Sequence, residues 1–254
     1  MTSTPSALAL HRLVAMEMSR TRIPALDGLR GAAVIGVVAF HYWPDTVPGG
    51  FVGVSLFFTL SGFLIGSLAQ EELSTTGTIN PAAFWSRRVR RLLPAASVTI
   101  ASVLVATAIL RPDDLRQVAN DAFASIAYFA NWRTAARPGG YEALFDTAIR
   151  PLDHFWSLSI EEQFYVVGPL LLPIRTRILL PSLLIITVAG TVVWWGSPDS
   201  YYATPVRLGE IAMGLGIARL WSKTTPGRGA TVAGVFALAG LIAVSLTWST
   251  SHSL

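Results

Sequence analysis

Arg30 and His41 sit eleven positions apart in the first apolar stretch of the chain, Leu26 to Trp43. At roughly 100° and 1.5 Å per residue, eleven helical steps return to within about 20° of the starting direction, some 16 Å further along. Guanidinium and imidazole therefore share one face. Ionisable groups inside apolar helices are costly and usually face a bundle interior or a water-filled cavity, so the pair can hold an anion at one level and move a proton at another. The alternative is that Arg30 snorkels to the surface and His41 rests at the opposite interface. A second set occurs in Asp153-His154-Phe155-Trp156-Ser157-Leu158-Ser159-Ile160-Glu161-Glu162-Gln163-Phe164-Tyr165. Here two adjacent carboxylates open an apolar run, and Ser157, Glu161 and Tyr165 recur at four-residue steps on one helical face. Either carboxylate can be hydrated at an interface, Glu162 more readily than Glu161. A third set is Arg87, Arg88, Arg90 and Arg91, four arginines in five positions, beside the aromatic pair Phe84 and Trp85. Arginine forks suit phosphate oxygens, and a nucleotide-like anion would need such a patch; the same residues also serve as a topology signal. Arg207 and Glu210, three apart, can pair on one helix face.

The elements that must position these groups are set by composition. Of 254 residues, 52% are hydrophobic and 13% charged, the balance of an integral membrane protein. Runs long enough to cross about 30 Å of hydrocarbon occur near 26–43, 51–70, 92–110, 155–173, 178–195, 202–220 and 229–248. Each must be helical, because backbone groups in lipid need partners within their own segment. The fold class is therefore all-α: a polytopic bundle of about seven spans. The more polar stretch 117–131, with Asn120, Asp121 and Asn131, is read as an added re-entrant or interfacial helix. Gly77, Asn80 and Pro81 mark a turn before an interfacial helix that enters the third span. With no cysteine, disulfides, thiol nucleophiles and thiolate metal sites are excluded. The pI near 9.8 reflects basic clusters at 12–22, 87–91, 175–177 and 219–228, which the positive-inside rule assigns to the cytoplasm; no nucleic-acid partner is needed. The N-terminus is then cytoplasmic, with no removable signal peptide. On this topology Glu161 and His41 lie in the outer halves of their spans, where the two could meet. Arg133, Arg137 and Arg150 in the outer loop run against the rule.

Four ordered segments carry a resemblance: Leu26-Asp27-Gly28-Leu29-Arg30-Gly31 with His41; Gly49-Gly50-Phe51-Val52-Gly53 through Ser61-Gly62-Phe63-Leu64-Ile65; the arginine loop; and Trp156 to Tyr165. Together, from about Arg22 to about residue 221, the chain closely resembles the acyltransferase-3 family of integral membrane O-acyltransferases. The family's arginine, ten residues, histidine pattern falls on Arg30 and His41. Its arginine-rich cytoplasmic motif falls on Arg87, Arg88, Arg90 and Arg91, and its serine-leucine-serine-x-glutamate motif on Ser157 to Glu161. The resemblance implies a multi-pass enzyme of a bacterial plasma membrane. It would move an acyl group, commonly acetyl, from acetyl-CoA or another acyl-CoA to a hydroxyl of a cell-envelope or exported carbohydrate, with no permanently bound cofactor. Arg30 and the arginine patch would hold the donor phosphates, with the pantetheine arm along the first helix. His41 would act as general base or transient acyl carrier. Glu161 would orient His41 or bind the acceptor hydroxyl, and Ser157, Tyr165, Arg207 and Glu210 would line the acceptor side. Gly49, Gly50, Gly53 and Gly62 would permit close helix approach.

Residues 1–25 are expected to be a cytoplasmic extension, and 26–254 a membrane acyltransferase domain shortened at its C-terminus relative to the family. Two other classes share parts of the pattern. A transporter or flippase would also line a polar pore with Arg30, His41, Glu161, Arg207 and Glu210, and an inactive truncated homologue would keep the motifs without the chemistry. CoA-dependent acylation separates the first from the enzyme, and a His41→Ala variant the second. His154 has no partner at metal-ligand spacing and reads as a loop residue.

Overall fold

The computed structural model describes residues 24–137, 150–174, 176–195 and 197–221, and all regular elements among them are helical. They are α1 (Pro24–Tyr42), α2 (Val52–Thr76), α3 (Pro81–Leu110), α4 (Leu115–Ile126), α5 (Ala130–Ala135), α6 (Phe155–Leu171), α7 (Thr176–Val193) and α8 (Thr204–Trp221), with single 3-10 segments at Pro112–Asp114 and Pro198–Tyr202. Six of the expected spans fall on α1, α2, α3, α6, α7 and α8. The expected span 229–248 and nearly all of the expected extension 1–25 lie outside the described residues. Among the described residues, two helices, α2 and α3, are long and apolar enough to cross a membrane.

Local sequence explains the boundaries. Asn80 caps α3, accepting from the Ala83 backbone N–H at 3.1 Å, and Pro81 occupies the first helical position, where a missing N–H costs nothing. The interfacial segment and the third span are thus one 30-residue helix, about 45 Å long. Its apolar half turns Val98, Val105, Ile109 and Leu110 outward, a surface suited to hydrocarbon rather than water.

The chain divides into two compact units; among the described residues, 24–57 belong to the first and 58–221 to the second. In the first, the start of α2 lies against α1 at backbone distance. A Cβ on Gly53 would come 2.6 Å from the Ala33 carbonyl oxygen, so glycine is required there. Phe40 is buried and meets Phe51 edge to face at 5.7 Å.

In the second unit, α2 and α8 use the same device in both directions. A Cβ on Gly62 would strike the Ile211 carbonyl, and one on Gly214 the Thr59 carbonyl, the close approach by which small residues hold membrane helices together. α7 and α8 pack as a hairpin, and α6 contacts α3, α4 and α5. A buried polar network fixes α6 against α5 and α8. Gln163 Nε2 donates to the Tyr128 carbonyl (2.7 Å) and Asn131 Oδ1 (2.9 Å), Thr204 Oγ1 donates to Gln163 Oε1 (2.6 Å), and Asn131 Nδ2 donates to the Tyr202 carbonyl (3.0 Å).

The polar stretch expected as one re-entrant or interfacial helix is two short ones, α4 and α5, joined by a tight turn. The Phe129 N–H bonds the Ala124 carbonyl and the Tyr128 N–H the Ser125 carbonyl, the paired bonds of a Schellman helix end. The residue this places in the left-handed region is normally glycine; here it is Tyr128, with φ +57°, at a cost of roughly 1 kcal/mol.

Candidate functional site

α6 carries the candidate chemistry because it is buried along several faces. Neighbouring residues point about 100° apart, so Glu161 and Glu162 serve different partners. Glu161 turns to α2, where the Ser61 hydroxyl donates a hydrogen bond to its carboxylate. Glu162 turns to α3, where Arg88 Nη2 lies 3.4 Å from its Oε1. The Arg88 guanidinium also stacks on the Tyr165 ring, 3.1 Å from the centroid. Trp85 Nε1 donates to the Tyr165 carbonyl at 3.1 Å, and Ser61 is within hydrogen-bonding reach of the Tyr165 side chain. A continuous set, Arg88, Glu162, Tyr165, Ser61 and Glu161, therefore joins α3, α6 and α2. Arg88 Nε is buried with no hydrogen-bond acceptor, so the guanidinium is incompletely satisfied.

Two expectations are corrected here. Glu162, expected to be the more hydrated carboxylate, is buried at 6% exposure; a carboxylate so placed needs a counter-charge, and Arg88 supplies it. The expected topology also puts the carboxylates in the outer half of their span, away from the arginine cluster. In the structure α3 and α6 run antiparallel, with Trp85 beside Tyr165, Arg88 beside Glu162, and Ile100 packed with Leu152 and Phe155. The acidic pair lies at the arginine-rich end of α3.

The four arginines do not act as one patch. Arg88 is turned into the bundle. Arg87 is exposed and pairs with Glu72 at 3.5 Å, Arg90 is exposed and bonds Ser86 Oγ at 2.9 Å, and Arg91 is exposed. In the first unit, Arg30 is half-buried and His41 is exposed in the last turn of α1. His41 Nδ1 lies 2.8 Å from the Val37 carbonyl oxygen; the Nδ1–H tautomer that makes this bond carries its lone pair on Nε2, the nitrogen that would accept a proton.

Of the remaining candidates, Ser157 Oγ bonds the His154 carbonyl at 3.3 Å and Tyr165 is buried. Arg207 and Glu210 pair at 2.8 Å, and Arg207 also donates to the Tyr201 carbonyl (2.9 Å) and lies over the Tyr201 ring (4.2 Å). Tyr201 and Tyr202 pack against Trp156, the first tilted and the second edge to face, at centroid distances of 5.0 and 5.2 Å.

The sequence reading missed Ser61 as a partner of Glu161, Tyr128 as a strained residue, and a clamp in which Arg133 and Arg137 bind Asp121 while Arg137 also binds Asp153. Burial works against the Arg137 charge, but Asp153 and Asp121 outweigh it and hold its pKa above the usual arginine value. This pairing compensates on the spot the charge of two basic residues that run against the expected topology. The signal was available as two aspartates, Asp121 and Asp153, that flank Arg133 and Arg137 in the sequence.

Comparison with known proteins agrees with the motifs. The acyltransferase-3 family profile, described as an acyltransferase domain, matches residues 23–253. The O-acetyltransferase OatA of Staphylococcus aureus strain NCTC 8325 / PS 47 is 37% identical over 211 residues, 78% of this chain and 35% of that protein. A protein of strain COL, named only as a candidate O-acetyltransferase, is 39% identical over 212 residues with the same shares. The chain thus spans about a third of the length of the curated relatives it matches. No solved structure matches it. With its profile match running through Arg30, His41, the arginine loop and the Ser157–Glu161 segment, the chain belongs to the acyltransferase-3 family.

Proposed function

We propose that the chain is the membrane domain of an O-acyltransferase, carrying an acetyl or other short acyl group from cytoplasmic acyl-CoA to a hydroxyl of a cell-envelope or exported carbohydrate. The observation that carries this reading is the family match across residues 23–253, a range that spans Arg30, His41, the arginine loop and Glu161. The membrane domain is 26–254, preceded by a short cytoplasmic extension, and the helices form a bundle of about seven spans in the plasma membrane with the N-terminus inside. His41 Nε2 takes the proton of the acceptor hydroxyl as that oxygen attacks the thioester carbonyl and returns it to the CoA sulfur as the carbon–sulfur bond breaks, or it first takes the acyl group itself, releasing CoA as the thiol, and then passes that group to the hydroxyl. Glu161, held by Ser61, hydrogen-bonds the acceptor hydroxyl, with Ser157, Arg207 and Glu210 as further acceptor contacts. Arg30, Arg87, Arg90 and Arg91 bind donor phosphates. Arg88, committed to Glu162 and Tyr165, positions α6 instead.

The test uses the full chain in nanodiscs with acetyl-labelled acetyl-CoA and a panel of envelope glycans, for the wild type, His41→Ala and Glu161→Gln. Labelled glycan from the wild type, with turnover falling at least 100-fold in His41→Ala, supports the assignment. Donor binding without transfer in the folded wild type, or glycan movement across the bilayer without acylation, would replace it with the inactive-homologue or the flippase reading.

A further inference from the structure

Three side chains of the second unit close a ring of hydrogen bonds. Gln163 Nε2 donates to Asn131 Oδ1 at 2.9 Å, Asn131 Nδ2 to Thr204 Oγ1 at 3.0 Å, and Thr204 Oγ1 to Gln163 Oε1 at 2.6 Å. Each member gives one bond and takes one, so the donors all run the same way round. The direction is fixed from outside the ring. The second amide hydrogen of Gln163 goes to the Tyr128 carbonyl (2.7 Å) and that of Asn131 to the Tyr202 carbonyl (3.0 Å), so turning either amide over would set oxygen against oxygen. Apolar side chains could fill the same junction, but apolar packing is non-directional and tolerates a small roll of a helix. A ring with a single arrangement does not, and hydrogen bonds linked in this way strengthen one another in a low-dielectric interior.

The ring joins the middle of α6 to the ends of two other elements: Asn131 lies in the first turn of α5 and Thr204 opens α8. One turn earlier on α6, Ser159 Oγ accepts from the Ala130 N–H at 3.2 Å. Ser159 and Gln163 are about 40° apart around the helix, and Glu161, midway between them, projects about 180° from the middle of that face. On that opposite side the Ser61 hydroxyl of α2 meets the Glu161 carboxylate. The helix is thus pinned along one face and presents its carboxylate from the other. With side-chain ends roughly 5–6 Å from a helix axis, a roll of about 20° would carry that carboxylate about 2 Å, further than a hydrogen bond tolerates.

We propose that Gln163 is a positioning residue for Glu161: the ring it closes with Asn131 and Thr204 sets the roll of α6 and so the place of the Glu161 carboxylate at the acceptor hydroxyl. This rests on the acceptor role given to Glu161 above and adds to it a group that acts through another side chain. A displacement of about 1 Å at a reacting centre lowers a rate by as much as about 100-fold, so the ring acts on turnover rather than on donor affinity.

The test uses the full chain in nanodiscs with labelled acetyl-CoA and the panel of envelope glycans, turnover being taken per folded molecule. Thr204→Val keeps the shape and opens the ring by removing its hydroxyl. Its kcat should fall at least tenfold with the donor KM within twofold of wild type, and Thr204→Ser, which restores the hydroxyl, should return to within threefold. Gln163→Met, which removes two donors and an acceptor, should fall at least as far as Thr204→Val. If Thr204→Val does not fold, Thr204→Cys, whose thiol is a weak donor, carries the comparison. The route through Glu161 is read in the Ser61→Ala background, where Thr204→Val should lower kcat by less than a further threefold because the carboxylate is already out of place. A lowered thermal midpoint with kcat intact in Thr204→Val would make the ring structural and overturn the role. No recovery in Thr204→Ser, or a full further tenfold loss in the Ser61→Ala background, would also overturn it and leave the acyltransferase standing. No turnover by the folded wild type would remove both.

Discussion

Two ion networks in the second unit use the same residue types to different ends. In the clamp, Arg133 and Arg137 share Asp121, and Arg137 adds Asp153; two cations meet two anions, and the aspartate side chains are each 7% exposed. At the arginine-rich end of α3, Arg88 meets Glu162 at 3.4 Å, stacks on Tyr165, and keeps a buried Nε–H without an acceptor. The first network is saturated and the second is not. A saturated cluster holds the ends of a loop, whereas the second leaves one buried guanidinium N–H without an acceptor. Buried charge thus separates by how completely it is matched: complete matching marks structure, and incomplete matching marks the place to look for function.

The largest effect expected from this contrast is on the clamp. Asp121→Asn keeps the shape but leaves Arg137 with Asp153 alone and takes the carboxylate from Arg133, and breaking a buried ion pair from one side costs about 3–5 kcal/mol. The thermal midpoint in nanodiscs should drop sharply, while turnover per folded molecule stays within twofold of wild type. A midpoint unchanged within error, or turnover lost by the folded fraction, would erase the distinction between the two networks.

Arg88 comes next. Arg88→Met retains the stem and removes the charge, stranding Glu162; with Arg88 partly exposed, about 2–3 kcal/mol of destabilisation is expected. Adding Glu162→Gln should recover most of that stability, because an uncharged amide needs no counter-ion. Turnover should stay depressed at least tenfold in the double variant with the donor KM near wild type, since the residue positions α6 rather than gripping phosphate. A donor KM raised tenfold with kcat unchanged would return Arg88 to the phosphate patch.

These contrasts also show what the sequence could and could not reveal. The helices were legible because an apolar run in lipid has one stable backbone solution, and the paired spacing of Arg207 and Glu210 was enough to foresee their 2.8 Å contact. The arginine cluster was legible as chemistry and not as geometry: residues adjacent in sequence diverge around a helix, so Arg88 leaves the group that Arg87, Arg90 and Arg91 keep at the surface. Glu161 and Glu162 look alike in sequence because the difference lies in partners a hundred and 74 residues away, Ser61 and Arg88. Tyr128 was invisible for another reason. Helix ends are read from glycine, and here a tyrosine takes the left-handed position instead.

The smallest expected effect tests the link from α2. Ser61 is buried at 6% exposure and donates to Glu161; Ser61→Ala changes little volume and removes one hydrogen bond to a charged acceptor, about 1.5 kcal/mol. If that bond orients a carboxylate that touches the acceptor hydroxyl, kcat should fall about tenfold, by the same arithmetic of about 1.4 kcal/mol per decade, with the donor KM unmoved. Ser61→Thr, which restores the hydroxyl on a branched side chain, should recover most of the rate. A structural bond alone would lower the thermal midpoint in the alanine variant and leave the rate per folded molecule intact, so rate and midpoint measured together on the two variants decide whether the saturation contrast extends to Glu161 or stops at Glu162.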